Sequence, residues 1–419
     1  MKRFFCKKAI WGTIIFMLSL FILIARPYGA RAADTFKIGE TNPFSGPAAY
    51  LGTVYHEGTK FVVDEYNAKG GLLGKRIEVI SEDNEFKPDV AVRKVKKMIL
   101  EDKVNIFGSG TGTHMAIALS KVAAQYKTIG INYGYSQPVA KKDFTRYYFR
   151  AGVSPYSVTS GHAQLIATTP HRKVYMIYQD FAYGHAMATF FKENLKRHVP
   201  DAQIVGEDAH PVGPKDFAPH INKIIASKAD IVWSSNFGVD AFNLVKQSRA
   251  LGLKKEIPFV THLAEELSFE NTLKDDAIGF LHCFCYSLRI DTPENKRIVA
   301  KWHEQHKKDK DPMTWWPASA MGCTIASWQW IFAAIEKAKS FDTEKIIEAF
   351  EGFRYKTLVG DYVMRKSDHQ MLVPVVGGMI EAENPYYDGS IRPEMKFPWL
   401  GEKIIIFPAE KVAPPEWYH

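Results

Sequence analysis

Between Thr41 and Phe61 the chain reads TNPFSGPAAYLGTVYHEGTKF. The apolar run Phe36-Lys37-Ile38-Gly39 ahead of it reads as a strand, and a helical pattern follows at once. The junction Ser45-Gly46-Pro47-Ala48-Ala49 is made of small residues, which let something approach the backbone closely. The same succession recurs along the chain. Strands are expected at Ile77–Ser81, Val104–Phe107, Thr128–Ile131, Lys173–Tyr178, Ile204–Glu207 and Ile231–Ser234. Helices are expected from Pro88 and over His114–Gln125, Met187–Lys196, Ile221–Ser227 and Phe242–Leu251. Such alternation gives parallel sheets covered by helices on both faces. The pattern restarts after RYYFRAGVSPYS, so two α/β units follow one another. Beyond a strand near Leu281–Leu288 come helices at Glu294–His306, Ala318–Lys337 and Thr343–Phe350, then a β-rich region, Asp361–Ile380.

The chain has 419 residues, more than one hydrophobic core usually serves. Lys2, Arg3, Lys7 and Lys8 precede the apolar run Gly12–Ile24, and Ala30-Arg31-Ala32 has the small-x-small form of a cleavage site. Residues 1–32 are therefore expected to be a secretory signal peptide cleaved near Ala32, which makes the protein periplasmic. Six basic residues and no acid lie in that segment, so removing it takes the formal charge from +8 to +2. The basicity is mostly targeting and gives no reason to expect nucleic acid as a partner. Cys283, Cys285 and Cys323 remain after cleavage, an odd count. Cys283 and Cys285 alternate along FLHCFCYSL and share a strand face beside His282. They read as small buried hydrophobes rather than a metal site. A Cys285–Cys323 bridge is open to an exported protein but does not follow from the spacing.

GGLLGKR, Gly70–Arg76, lacks the spacing and the hydroxyl of a phosphate loop and reads as a helix C-cap. FGSGTGTH sits where a dinucleotide fingerprint would, but no Asp or Glu occurs between Lys103 and Lys142 to hold a ribose. That acid-free span contains two strand-to-helix turns, GSGTGTH and NYGYSQP, each with a hydroxyl, Thr113 and Ser136. Helix N-termini with hydroxyls hold small anions without a metal. No G-x-S-x-G or H-E-x-x-H motif occurs, Asp368-His369 reads as structural, and Glu265-Glu266, a conceivable acid–base pair, are sequence neighbours that usually point apart, so no enzyme, cofactor or metal is expected.

From NPFSGPAAYLGTVYHEGTKF through NAKGGLLGKRIE, and again at DFAYG (180–184), KQSRALGL (246–253) and RKSDHQ (365–370), the chain resembles the periplasmic leucine/isoleucine/valine-binding proteins, type I solute-binding proteins of ABC importers. The resemblance implies two doubly wound α/β lobes joined by three crossings, near Arg150, Leu281 and Gly360, with ligand in the cleft. The N-terminal lobe would be 33–150 plus 283–360, and the C-terminal lobe 151–282 plus 361–419. Thr113 and Ser136 would hold a ligand carboxylate, helped by backbone at His114, Gly134 and Tyr135. Leu51 would flank the ligand, Tyr183 would close over it, and Asn236 or Phe237 would line the second lobe. The small residues Ser45–Ala49 would let the ligand sit against the first loop. One departure bears on ligand identity. PFVTHLAEELSF carries Thr261-His262 where the family has a glycine before its ammonium-binding Glu. Either Glu265 serves that role or the ammonium site is gone. The implied ligand is a branched-chain amino acid or related small carboxylate, or an aromatic or aliphatic carboxylate or amide without the amino group, near aromatics such as Tyr50, Tyr133, Tyr135, Trp315 and Trp316. The implied partner of a monomeric receptor is an inner-membrane ABC permease. A periplasmic enzyme or a sensor module on the same fold are the alternatives.

Overall fold

β1 (Phe36–Asn42), α1 (Ala49–Ala68), β2 (Ile77–Asp83), α2 (Pro88–Lys97), β3 (Ile106–Ser109), α3 (Thr113–Tyr126), β4 (Ile129–Asn132) and β5 (Tyr148–Arg150) follow the expected alternation. The computed structural model describes residues 35–46, 48–135, 144–262, 271–311, 314–383 and 398–416. These strands form a five-stranded parallel sheet in the order β2-β1-β3-β4-β5. Every residue of β3 and β4 is buried, as apolar strands covered on both faces must be.

The second unit repeats the plan. α4 (Pro155–Ala167) leads into β6 (Lys173–Gln179), α5 (Ala182–His198), β7 (Gln203–His210), α6 (Ala218–Ser227), β8 (Ile231–Ser234), α7 (Gly238–Ala250), β9 (Phe259–Thr261) and β10 (Leu281–Phe284). Its parallel strands run β7-β6-β8-β9-β10, the order of the first sheet repeated. Each sheet therefore reverses its winding between its first and third strands, β1/β3 and β6/β8. Ligands of open α/β sheets bind outside the strand C-termini at such switch points.

The chain then returns to the first sheet through α8 (Pro293–His306), α9 (Ser319–Ala338) and α10 (Thr343–Phe350). α9 is apolar on nearly all sides and buried from Ser319 to Trp328, because it packs closely on α1. There Trp328 Nε1 donates to Thr59 Oγ1 at 2.9 Å. Glu65 on α1 accepts from Arg297 and Lys301 on α8, at 2.6 and 2.7 Å. β11 (Arg354–Lys356), β12 (Asp361–Met364) and β13 (Met371–Leu372) make a small antiparallel sheet, and β14 (Val375–Glu381), β15 (Trp399–Leu400) and β16 (Ile405–Phe407) complete the second large one, before a short α11 (Ala409–Val412).

Strand pairing moves two of the expected lobe boundaries. β10 pairs with β9 at Leu281 and His282 and with β14 as far as Phe284, so the strand runs past the boundary expected at 283. β12 pairs with β11 and β13, and Gln370 bridges to Arg150, so 361–372 stays beside the first sheet. The chain passes from the small sheet to the second large one between β13 and β14, beyond the boundary expected near Gly360. Cys285 and Cys323 are joined as a disulfide with Cα atoms 5.9 Å apart, which staples the second crossing to α9. Cys283 is a free, buried thiol, and no group of metal-ligating side chains occurs among the described residues.

Candidate functional site

The C-terminal ends of the two sheets face a single cleft of about 800 Å³, counted out to its open mouth. Each strand end contributes. After β1 come Tyr50 and Leu51; after β3, Thr111 to His114; after β4, Tyr135. From the second unit come Phe181 to Tyr183 after β6, Phe237 after β8, His262 after β9 and Phe284 at the end of β10. Tyr55, Phe86 and Ala320 complete the lining. Aromatic rings dominate it, and no Asp, Glu, Lys or Arg is among these described residues.

Five of the described helices begin at this cleft: α1, α3, α5, α7 and α9. Their N-cap residues are Ala48, Gly112, Phe181, Phe237 and Ala318, none of which carries a side-chain oxygen to accept from the first-turn amides. Four of the five have no acid in their first turn. The fifth has Asp240, which is buried and spent on Gln179 Nε2 and the Gly213 amide, at 2.7 and 2.9 Å. Of the described helices that start elsewhere, α4, α8 and α10 are capped by Ser154, Thr292 and Asp342, whereas α2, α6 and α11 have no side-chain cap. The cleft thus collects the positive ends of helix dipoles whose N-cap residues offer no side-chain oxygen, with no carboxylate among its described lining residues. Thr111 and Thr113 add hydroxyls at the start of α3.

The aromatic wall crosses between the units. The Tyr135 ring lies 5.3 Å from Tyr183, 6.1 Å from His262 and 6.0 Å from Phe284. Its hydroxyl reaches Met187 Sδ on α5 at 2.7 Å. Tyr183 Oη and His262 Nε2 are 3.0 Å apart. Burial pushes the His262 imidazole down to about 3, so it is neutral. Burial also lowers His114, whose ring packs edge-on to Phe86 at 4.8 Å.

A periplasmic binding protein family model matches residues 35–383. The chain belongs to this family. Its members are solute-binding proteins of ABC transporters. A Leu/Ile/Val-binding protein homolog 4 of Brucella melitensis is 24% identical over 361 residues, 82% of this chain and 84% of that protein. The closed leucine-, isoleucine-, valine-, threonine- and alanine-binding protein of Brucella ovis superposes with a TM-score of 0.80 at 21% identity, covering 92% of this chain and 98% of that one. The solute-binding protein of Rhodopseudomonas palustris HaA2 in complex with p-hydroxybenzoic acid gives 0.77 at 20% identity, over 92% and 99%. These likenesses concern the fold. No described helix of this family member is long and apolar enough to cross a membrane.

Of the sequence-derived positions, Leu51, Thr113, His114, Tyr135 and Tyr183 meet in the cleft. Gly134 does not line it. A Cβ there would lie 1.8 Å from the Gly110 carbonyl oxygen, so this glycine serves the close approach of two strand-end loops. Asn236 is buried against His210, Nδ2 to Nε2 2.8 Å, and its neighbour Phe237 faces the cleft instead. Ser136 and Glu265 lie outside the described residues. The small junction Ser45–Ala49 has a local purpose too. Tyr50 and Leu51, rather than the described residues Ser45, Gly46, Ala48 and Ala49, meet the cleft, and a Cβ at Gly52 would fall 1.8 Å from Pro43 O, so α1 folds back over its own loop. Tyr133 is buried, its hydroxyl donating to Glu40 at 2.8 Å, and Trp316 stacks on His303 at 4.1 Å. Asp368 accepts from Arg365 and His369 stacks on Phe149, so that pair is structural. Tyr55, Phe86 and Phe284 were not singled out as site residues, and His262 was marked only as a departure from the family pattern.

Proposed function

We propose that the protein is an extracytoplasmic receptor that closes on a small carboxylate with an aromatic body and presents it, as a monomer, to an ABC permease. The observation that carries this reading is the convergence of five helix starts without side-chain caps on an aromatic cleft. Each helix end favours a nearby anion by about 0.3–1 kcal/mol, more where water is excluded. The rings then take the apolar body by burial and stacking. Thr111 and Thr113 orient the carboxylate at the start of α3, with Ser136 as its partner from the next turn. Residues 1–32 act as the cleaved export signal. The two sheets, each with its helices, move as lobes about the three crossings, because Tyr135 and Tyr183 approach the ligand from opposite sides.

Binding without chemistry fits the polar inventory: His262 is neutral and bonded to Tyr183 rather than to a nucleophile. Titration calorimetry of the exported protein with benzoate and with leucine tests the ligand class. Benzoate is expected to bind and be recovered unchanged. Tight leucine binding with none for benzoate would restore the amino-acid reading, with Glu265 as the ammonium partner.

A further inference from the structure

We infer that Asn42 and Glu40, neither of which is among the cleft-lining residues, are positioning residues for the cleft: together they fix the glycine-rich loop that carries Thr111 and Thr113 to the anion. The inference rests on the carboxylate reading above. The loop joins β3 to α3 through Gly110 and Gly112. Gly112, the N-cap of α3, stands at φ 68°, in the left-handed region, and paired glycines lend such a loop freedom rather than shape. A hold from outside the loop is therefore needed. Gly110 N–H donates to Asn42 Oδ1 at 2.8 Å, at the end of β1.

An asparagine amide has a donor end and an acceptor end, and Glu40 decides which of them faces Gly110. Asn42 Nδ2 donates to Glu40 Oε1 at 2.7 Å and to Tyr133 Oη at 2.9 Å. The Tyr133 proton is itself spent on Glu40 Oε1, at 2.8 Å. Both neighbours then only accept, so the NH2 group must face them and the oxygen is left for Gly110. The other carboxylate oxygen, Oε2, meets His56 Nδ1 on α1 at 2.8 Å and accepts from Ser81 Oγ on β2 at 3.0 Å. Glu40, Asn42 and Tyr133 are all fully buried. A buried carboxylate adds little stability over a well-packed apolar residue, so stability alone does not account for Glu40 in β1. The orientation it imposes on Asn42, directly behind the start of α3, does.

The test inverts the pair. Asn42→Asp keeps an oxygen for Gly110 but sets two carboxylates against each other. Adding Glu40→Gln restores the contact with the donor on the opposite side and returns the charge to that of wild type. Calorimetry at pH 8, where paired carboxyls least readily share a proton, uses benzoate and leucine as probes. Asn42→Asp should bind the acid that wild type binds about tenfold more weakly, and the double variant should come within about twofold of wild type. Amide hydrogen exchange without ligand should be faster over residues 108–115 in Asn42→Asp, normal there in the double variant, and unchanged over 231–245 in both. If Asn42→Asp fails to fold, Asn42→Ala, which removes the acceptor without adding charge, should give the same weaker binding and faster exchange. A purely structural role would lower Tm yet leave the folded protein binding the acid normally, and would overturn the inference while the carboxylate reading stood. So would unchanged exchange over 108–115, or a double variant that binds as poorly as Asn42→Asp. Failure of wild type to bind either benzoate or leucine would remove the carboxylate reading and this inference with it.

Discussion

Tyr135→Phe removes a hydroxyl that reaches across to the second unit, to Met187 and to the Tyr183 side chain. The Tyr135 hydroxyl donates to Met187 Sδ at 2.7 Å, from the end of β4 to α5 of the second sheet. The ring itself would remain edge-on to Tyr183 and stacked with His262 and Phe284. A neutral buried hydrogen bond contributes about 0.5–1.5 kcal/mol net, and a thioether is a weak acceptor that loses little when abandoned. On the proposed lobe closure, a loss of about 1 kcal/mol would fall on the closed form alone, because the two partners would separate as the cleft opened. That lowers the closed-to-open ratio roughly fivefold, and the apparent affinity by at most the same factor. Met187→Leu, close to volume-conserving, removes the acceptor and leaves the hydroxyl buried without it, so it should cost somewhat more. The double variant should cost no more than the larger single one. Small-angle scattering without ligand should show both variants more extended on average, and calorimetry should show weaker binding. Unchanged scattering and affinity in both would refute the latch.

Other expectations follow from bonds remote from the cleft. The Cys285–Cys323 disulfide spans 38 residues, which in the chain-entropy model contributes at most about 4 kcal/mol, so reduction or Cys323→Ser should lower Tm by several degrees. An unchanged melt would show that the staple is energetically idle. Burial alone would raise the Glu65 carboxyl, but hydrogen bonds from Arg297 and Lys301 outweigh it and hold it at about 2. Its folded value lies below its unfolded one, so its contribution is full above about pH 4.5 and is lost as pH falls toward 2. The contribution is at most about 3 kcal/mol, less because the Arg297 side chain is 43% exposed and partly screened. Denaturant titrations of wild type and Glu65→Gln between pH 7 and 2 should converge at the acid end, and parallel curves would contradict the assignment.

Much of the fold was legible because parallel strands covered on both faces leave continuous apolar runs, as at Ile129–Asn132 and Ile231–Ser234. The start of α3 was legible for a related reason. A strand, glycines, a hydroxyl and a helix follow within a few residues, and the absence of acids nearby is a local property of sequence. What failed to show was long-range. Phe86, His262 and Phe284 meet only because the strand order brings distant strand ends to one side. Asn236 and Phe237 differ by one position, and which of the two faces the cleft is set by the turn into α7 rather than by composition. The boundary at 361 misread β12, whose partners β11 and β13 are set by pairing that no local pattern specifies. The disulfide was undetermined because its two cysteines lie on different elements, with Cys283 an equal candidate in sequence.

The central claim is that uncapped helix starts hold a carboxylate in this cleft. Benzoate and benzamide, and leucine and leucinamide, titrated into wild type and Thr113→Val by calorimetry, test it most directly. Five helix ends at about 0.5 kcal/mol each predict that the acid which binds does so between ten- and a few hundredfold more tightly than its amide, by rough count. Thr113→Val should cost that acid about ten- to a hundredfold, the loss of one hydrogen bond to a charged acceptor, while Tm falls little. Amides binding as tightly as their acids, or a folded Thr113→Val that binds the acid normally, would place the anion elsewhere and contradict the account.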